Sequence, residues 1–228
     1  MGNSYKRIDA HLSSLGYCTR SEAKKFLRIY ELYVKEERIF DPSIKAYHND
    51  IKINDEALDP ETITILLNKP SGFICSHNDA GSLIYALIPQ RWNRRNPKIS
   101  TIGRLDVDTT GAIILTDDGA LNHKLSSPKS DVSKVYEATL AVPLKGDEKE
   151  IFASGELMLN GEKKPLLPAK LEVLGETHVR LEICEGKYHQ VKRMFAAVGN
   201  RVLTLHRVSF GGFTVEDLKE GEYKFIEL

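Results

Sequence analysis

The chain has 228 residues, 41% of them hydrophobic, and no net charge, with 32 Lys and Arg balancing 32 Asp and Glu. That composition supports a packed core and excludes a disordered chain, and the length suits one large domain beside a small one at roughly 150 residues per domain. With no net charge, any face for nucleic acid must come from local clustering, and no apolar run approaches the roughly 20 residues of a membrane helix.

Cys18, Cys75 and Cys184 are odd in number and far apart. They suggest neither a zinc site nor a disulfide framework and fit reduced thiols in the cytoplasm. The start, Met1-Gly2-Asn3-Ser4-Tyr5-Lys6, is not a signal peptide, and Lys6 stands where myristoylation wants Ser or Thr.

In chain order, Ile8, Leu12 and Leu15 predict a short helix ending at Gly16. Thr19-Arg20-Ser21-Glu22 reads as an N-cap, with Glu22 suited to the positive end of a helix that runs to about Leu32. Its apolar face would carry Ala23, Phe26, Leu27 and Tyr30, and its other face Arg20, Lys24, Lys25 and Arg28. Short strands follow near Tyr33-Val34 and Asp50 to Ile53, and a domain boundary falls at Leu58-Asp59-Pro60-Glu61, dividing the chain into 1–60 and 61–228.

Residues 62–68 predict a strand stopped by Lys69-Pro70-Ser71-Gly72. Further strands are expected at 111–116, 135–142, 170–174, 179–184 and 223–228, and helices at 83–88, 119–126, 147–153 and 188–198. Strands dominate and helices do not separate them regularly. The expected class is α+β, with a mixed, mainly antiparallel sheet in the larger domain.

The segment richest in chemistry is Ile102-Gly103-Arg104-Leu105-Asp106-Val107-Asp108-Thr109-Thr110-Gly111, leading into the apolar run Ala112 to Leu115. Two carboxylates and an arginine crowd a turn before a strand. A carboxylate there can sit in a cleft floor and stay ionised beside a cation, because opposite charge offsets desolvation. Asp106-Val107-Asp108-Thr109-Thr110 also matches the DxDxT pattern of haloacid-dehalogenase-like phosphatases, but Thr101-Ile102-Gly103-Arg104-Leu105 is not the buried strand that pattern requires.

Read whole, Gly103 to Gly111 resembles the GRLD signature of the RsuA/RluB-type pseudouridine synthases. Lys134-Val135-Tyr136 resembles their KxY motif, and Glu185-Gly186-Lys187-Tyr188-His189-Gln190-Val191-Lys192-Arg193-Met194-Phe195 their C-terminal motif. The continuation to Leu205-His206-Arg207 is closest to the small-subunit branch, and the likeness spans residues 5 to 228. Arg7-Ile8-Asp9 and Thr19 to Ala23 are similar to an S4 RNA-binding domain of the αL type. That pattern is broken at Val34-Lys35-Glu36-Glu37, where many such domains have Val-Asn-Gly.

The resemblance implies uridine isomerisation in small-subunit (16S) ribosomal RNA, free or in a 30S assembly intermediate, by a monomer needing neither cofactor nor metal. It implies Asp106 as the catalytic carboxylate, Lys192 as its cation with Arg193 the fallback, and Tyr136 stacking on the target base. Arg104 would help displace that base from its stack. Asp108 is expected to cap the turn, and His189 is given no chemistry.

Other RNA contacts are expected from Arg20, Lys24 and Arg28, from Lys187, Arg193 and Arg207, and from a flexible loop, Gln90 to Lys98, holding Arg91, Arg94 and Arg95 around the lone Trp92. Residues 20–38 hold six basic against four acidic residues, and 180–207 six against two. The rival from another class is a non-catalytic RNA-binding or ribosome-assembly protein with the same fold.

Overall fold

The computed structural model describes residues 3–127 and 130–227. Met1, Gly2 and Leu228, which entered the expectations above, lie outside them. Packing divides the chain into two compact units: Met1–Thr64 with Tyr85–Ser100 and Leu115–Leu121, and Ile65–Ile84 with Thr101–Ile114 and Asn122–Leu228. The boundary expected near 60 thus falls at Thr64, and the first unit is not contiguous.

In the first unit, β1 (Tyr5–Arg7) leads into α1 (Ile8–Ser14) and α2 (Ala23–Ile29). Then come β2 (Leu32–Val34), β3 (Glu37–Arg38), β4 (Lys45–Tyr47), β5 (Ile51–Ile53) and β6 (Glu56–Ala57). Ile8, Leu12 and Leu15 recur at helical spacing and are fully buried against Ala23, Leu27, Leu32 and Ile51. The second helix is shorter than expected. Thr19 and Glu22 form a reciprocal box before it, Glu22 N donating to Thr19 Oγ1 (3.3 Å) and Thr19 N to Glu22 Oε2 (3.0 Å). Asn54 and Asp55, both at positive φ, make the two-residue turn of the β5–β6 hairpin, a conformation these residue types tolerate.

The segment expected to be a flexible basic loop is built into this unit. Gln90–Arg94 is a short 3-10 helix with Trp92 buried. Asn96 N donates to Ser14 O at 2.9 Å. Trp92 Nε1 and Arg91 both donate to Asp59 (3.0 and 2.7 Å). Arg95 is 2% exposed, with Nε on Asp117 (2.7 Å) and Nη2 on the carbonyls of Pro60 and Glu61. Its expected RNA contact is therefore corrected: a buried, paired guanidinium has no phosphate within reach, and unpairing it would strand a charge. Arg91 is likewise spent on Asp59 and on the Tyr17 ring, 4.7 Å away. Arg94 alone of the three is exposed.

The second unit is sheet-based. The strands that follow in the chain, which lie wholly or mostly in that unit, run β7 (Thr64–Lys69), β8 (Ser100–Ile102), β9 (Thr110–Thr116), β10 (Lys134–Leu140), β11 (Lys170–Val173), β12 (His178–Ile183), β13 (Val202–Phe210), β14 (Phe213–Thr214) and β15 (Tyr223–Phe225). Among the described residues these form one mixed sheet of order β11-β12-β10-β13-β9-β7-β15, with β8 on β9 and β14 on β13. The β9–β13 pair is parallel, whereas β10–β12, β10–β13, β11–β12 and β7–β15 are antiparallel. This meets the α+β expectation. β9 fits its central place because Ala112 to Leu115 are buried on both faces.

Helices α3 (Gly119–Ser126), α4 (Glu148–Ala153) and α5 (Gln190–Ala197) accompany the sheet, and Phe152 of α4 meets Phe195 of α5 edge to face, centroids 5.2 Å apart. The helix expected at 83–88 is only a 3-10 turn, Ile84–Leu87. Nine-residue β13 was not expected, because His206 and Arg207 interrupt its apolar pattern. Arg207 is nevertheless fully buried.

The β9–β13 contact needs Gly111. At φ +105, a Cβ there would collide with the backbone of Arg207. Gly111→Ala should destabilise the protein by about 2–3 kcal/mol in chemical denaturation, from left-handed strain plus overpacking. An unchanged midpoint would show that the two strands can part freely.

Candidate active site

Asp106 sits on the loop between β8 and β9, and the backbone fixes that loop before any side chain acts. Thr109 N donates to Asp106 O at 3.1 Å, and Gly72 N to Val107 O at 2.8 Å. Beneath them lies Lys69, fully buried, which donates to the carbonyls of Pro70 (3.0 Å), Val107 (3.3 Å) and Thr109 (2.8 Å). Burial lowers its pKa, but all three ammonium donors are satisfied. Sequence reasoning missed this clamp, having read Lys69 only as a strand stop.

The loop opens onto a cavity of about 540 Å³ lined by Arg104, Asp106, Tyr136, Lys187, His189 and Lys192. Asp106 is partly exposed, at 30% for its side chain. Lys192 Nζ lies 3.3 Å from one carboxylate oxygen and His189 Nε2 3.2 Å from the other. Lys192 also bridges to Asp108, at 2.7 and 2.9 Å. Burial works against the Lys192 charge, but the hydrogen bond to Asp108 and the field of Asp106 outweigh it and raise its pKa. The Lys192 hydrogen bond in turn lowers the pKa of Asp108. Asp108, expected to cap the turn, is also a second anchor for the lysine.

His189 is the residue that sequence reasoning passed over. It lies at φ 49, ψ 34, the left-handed region, directly before α5. Histidine tolerates that conformation better than most side chains. The helix therefore starts at Gln190 rather than at 188, and the imidazole is left beside Asp106, stacked on Tyr188 with centroids 3.8 Å apart. Nothing in residue types alone marked that backbone turn.

Tyr136 is buried at 8% exposure, yet lines the cavity. The β10–β13 register shifts between Val135 and Tyr136, the kind of bulge that re-aims a side chain near a site. Arg207 Nη1 donates to its hydroxyl at 3.3 Å, and Arg207 Nε to Ala112 O at 2.6 Å. Arg207 is thus corrected from a surface phosphate contact to a buried support of the cavity wall. Among the described residues its Nη2 has no partner. Arg193 is corrected too. Its guanidinium donates to Glu162 (2.9 Å) and to the carbonyl of Tyr188 (3.0 Å), so its donors are engaged away from Asp106, which Lys192 pairs instead. Arg104 and Lys187 remain exposed at the cavity.

The geometry also disposes of the phosphatase pattern. β9 begins at Thr110, after the carboxylates, and the sheet is not parallel.

A family model described as RNA pseudouridylate synthase matches residues 63–197, a span that includes Asp106, Tyr136 and Lys192. The chain belongs to that family. Among its relatives, ribosomal small subunit pseudouridine synthase A of Haemophilus influenzae is 42% identical over 96% of this chain and 94% of its own length. The Escherichia coli protein of the same name is 48% identical over 70% of this chain and 68% of its own. A crystal structure of a pseudouridylate synthase matches with TM-score 0.68 and 41% identity, over 97% of this chain and 96% of that one. As an RNA pseudouridylate synthase, the chain is an isomerase that converts uridine to pseudouridine in RNA.

Proposed function

We propose that the chain isomerises a uridine of small-subunit (16S) ribosomal RNA, with Asp106 as its catalytic carboxylate. One observation carries the reading: an aspartate lining the cavity, with His189 (3.2 Å) at one carboxylate oxygen and Lys192 (3.3 Å) at the other, in the cavity that Tyr136 also lines. The substrate is assigned from the names of the relatives above.

The reaction breaks the N1–C1′ bond, turns the uracil and joins C5 to C1′; the C5 hydrogen leaves to solvent and N1 takes up a proton. Asp106 starts it either by attack at C1′ or by taking the C2′ proton, and both routes use the same ionised oxygen. Lys192 and His189 orient that carboxylate, one at each oxygen, and a cavity that partly excludes water strengthens their hold. The Tyr136 ring stacks on the flipped base, worth roughly 1–3 kcal/mol, and its hydroxyl accepts the C5 proton late in the reaction as its own proton passes to solvent. Arg104 fills the gap the base leaves, offsetting a flipping cost of a few kcal/mol.

The first unit docks the RNA. Its two helices followed by a small antiparallel sheet suit the S4-like reading, and Arg20, Lys24, Arg28 and Arg94 are exposed on it. The enzyme acts as a monomer in the cytoplasm, on rRNA or a 30S assembly intermediate, and no helix among the described residues is long and apolar enough to cross a membrane.

The test is tritium release from small-subunit rRNA transcripts carrying 5-tritiated uridine. Wild type should release one tritium per modified site, and silence on this RNA with release from large-subunit RNA would overturn the substrate. Binding should weaken with salt at a log–log slope of about −3 to −4 if those four cations each neutralise a phosphate. A flat profile in filter binding would remove them from the interface.

A further inference from the structure

The isomerisation makes no use of His11, His48 or Glu61, yet the first unit brings them together. His11 lies on α1, His48 just after β4, and Glu61 between β6 and β7. One donor atom from each residue lies within 4.8 Å of the other two. His11 is 0% and His48 6% exposed. His11 Nε2 is committed to Ala46 O at 3.1 Å, which leaves Nδ1. The Nδ1 atoms of both histidines are buried without a hydrogen-bond partner among the described residues.

An orphaned buried polar atom costs about 1–3 kcal/mol. Two of them on residues gathered around one carboxylate point to a shared guest. The group also has the marks of a ligand set. Burial lowers the pKa of both imidazoles, favouring the neutral form that can ligate. Glu61 accepts from Ser4 N (3.0 Å) and from the Ser4 hydroxyl, which fixes the carboxylate as outer partners of ligands do. The Ala46 carbonyl does the same for His11.

We propose that His11, His48 and Glu61 form a binding site for a divalent transition-metal ion of the zinc class. Two imidazole nitrogens and one carboxylate oxygen suit such an ion and leave its fourth position to water. Donors around tetrahedral zinc stand about 3.3–3.6 Å apart at bond lengths near 2.1 Å, so the three side chains draw in by about an ångström on loading. Lys6 Nζ, 3.6 Å from Glu61, would be displaced, and its partly exposed side chain can swing away from Glu61 and from Ser14 Oγ, 3.4 Å off, while the Arg95 charge near His48 stays paired with Asp117. The bound ion would tie α1, the β4 end and the chain entering β7 into one clamp. Its role is structural and separate from Asp106 chemistry.

The experiment uses the full-length protein, stripped with a chelator and titrated with Co²⁺. Wild type should take up one equivalent and develop visible d–d absorption, which Zn²⁺ then bleaches, and Zn²⁺ should raise its Tm by several degrees. His48→Gln and Glu61→Gln, checked by circular dichroism as folded, should lose both responses while keeping wild-type tritium release. No absorption in wild type, or equal uptake by the two variants, overturns the site.

Discussion

Asp106→Asn should drop tritium release by at least about 10⁴-fold while RNA affinity stays within a few-fold. The scale follows from losing a group that acts as a unit with its partners. Asparagine matches aspartate in size, and the turn around position 106 is held by backbone bonds, Thr109 N to Asp106 O and Gly72 N to Val107 O, with Lys69 below. None of these needs the carboxylate. What changes is charge: a neutral amide presents a donor where Lys192 and His189 both expect an acceptor. Filter binding and tritium release on the same preparation separate the outcomes. Activity above about 1% of wild type would end the catalytic assignment, and a tenfold loss of affinity would make Asp106 a docking residue.

The places where the sequence was readable share one physical trait: the signal was local. β9 announces itself as a run of apolar residues, and α1 as three apolar residues at helical spacing. The Thr19 to Glu22 cap is visible because its partners lie three residues apart. Asp106, Tyr136 and Lys192 could be nominated by motif, and the structure gathers all three at one cavity.

The misreadings involve partners distant in sequence. Arg95 looked solvated among Arg91, Arg94 and Lys98, but its carboxylate is Asp117, 22 residues on. Arg207 disguised β13 because a guanidinium in a central strand makes sense only once Tyr136 and Ala112 are beside it. His189 required knowledge of one backbone dihedral. Charge was thus a poor guide to the surface here. Of the ten arginines and lysines nominated for RNA, Arg91, Arg95, Arg193 and Arg207 are paired with other residues of the chain, and Arg95 and Arg207 are buried.

That inward use of cations sharpens what Lys192 does. Lys192→Met keeps the length of the side chain and removes its charge, taking the shared cation from Asp106 and Asp108 and leaving Asp106 with His189 at 3.2 Å. Loss of a charge-stabilising donor of this kind costs about 10²–10³-fold in kcat. KM should move little, because the lysine grips enzyme carboxylates rather than phosphate. Lys192→Arg should recover part of the rate. The pH behaviour has a definite sign. Lys192 is raised above 10.5, so the stability from its pairs is complete below that value and lost as pH climbs through the folded pKa. Asp108 is lowered below 3.8, so its share is complete above that value and lost as pH falls through the folded pKa. Between about pH 5 and 9, therefore, the Tm gap between wild type and Lys192→Met should be constant, shrinking only beyond those limits. A gap that instead opened or closed near neutrality would mean that another group carries the charge that holds Asp106.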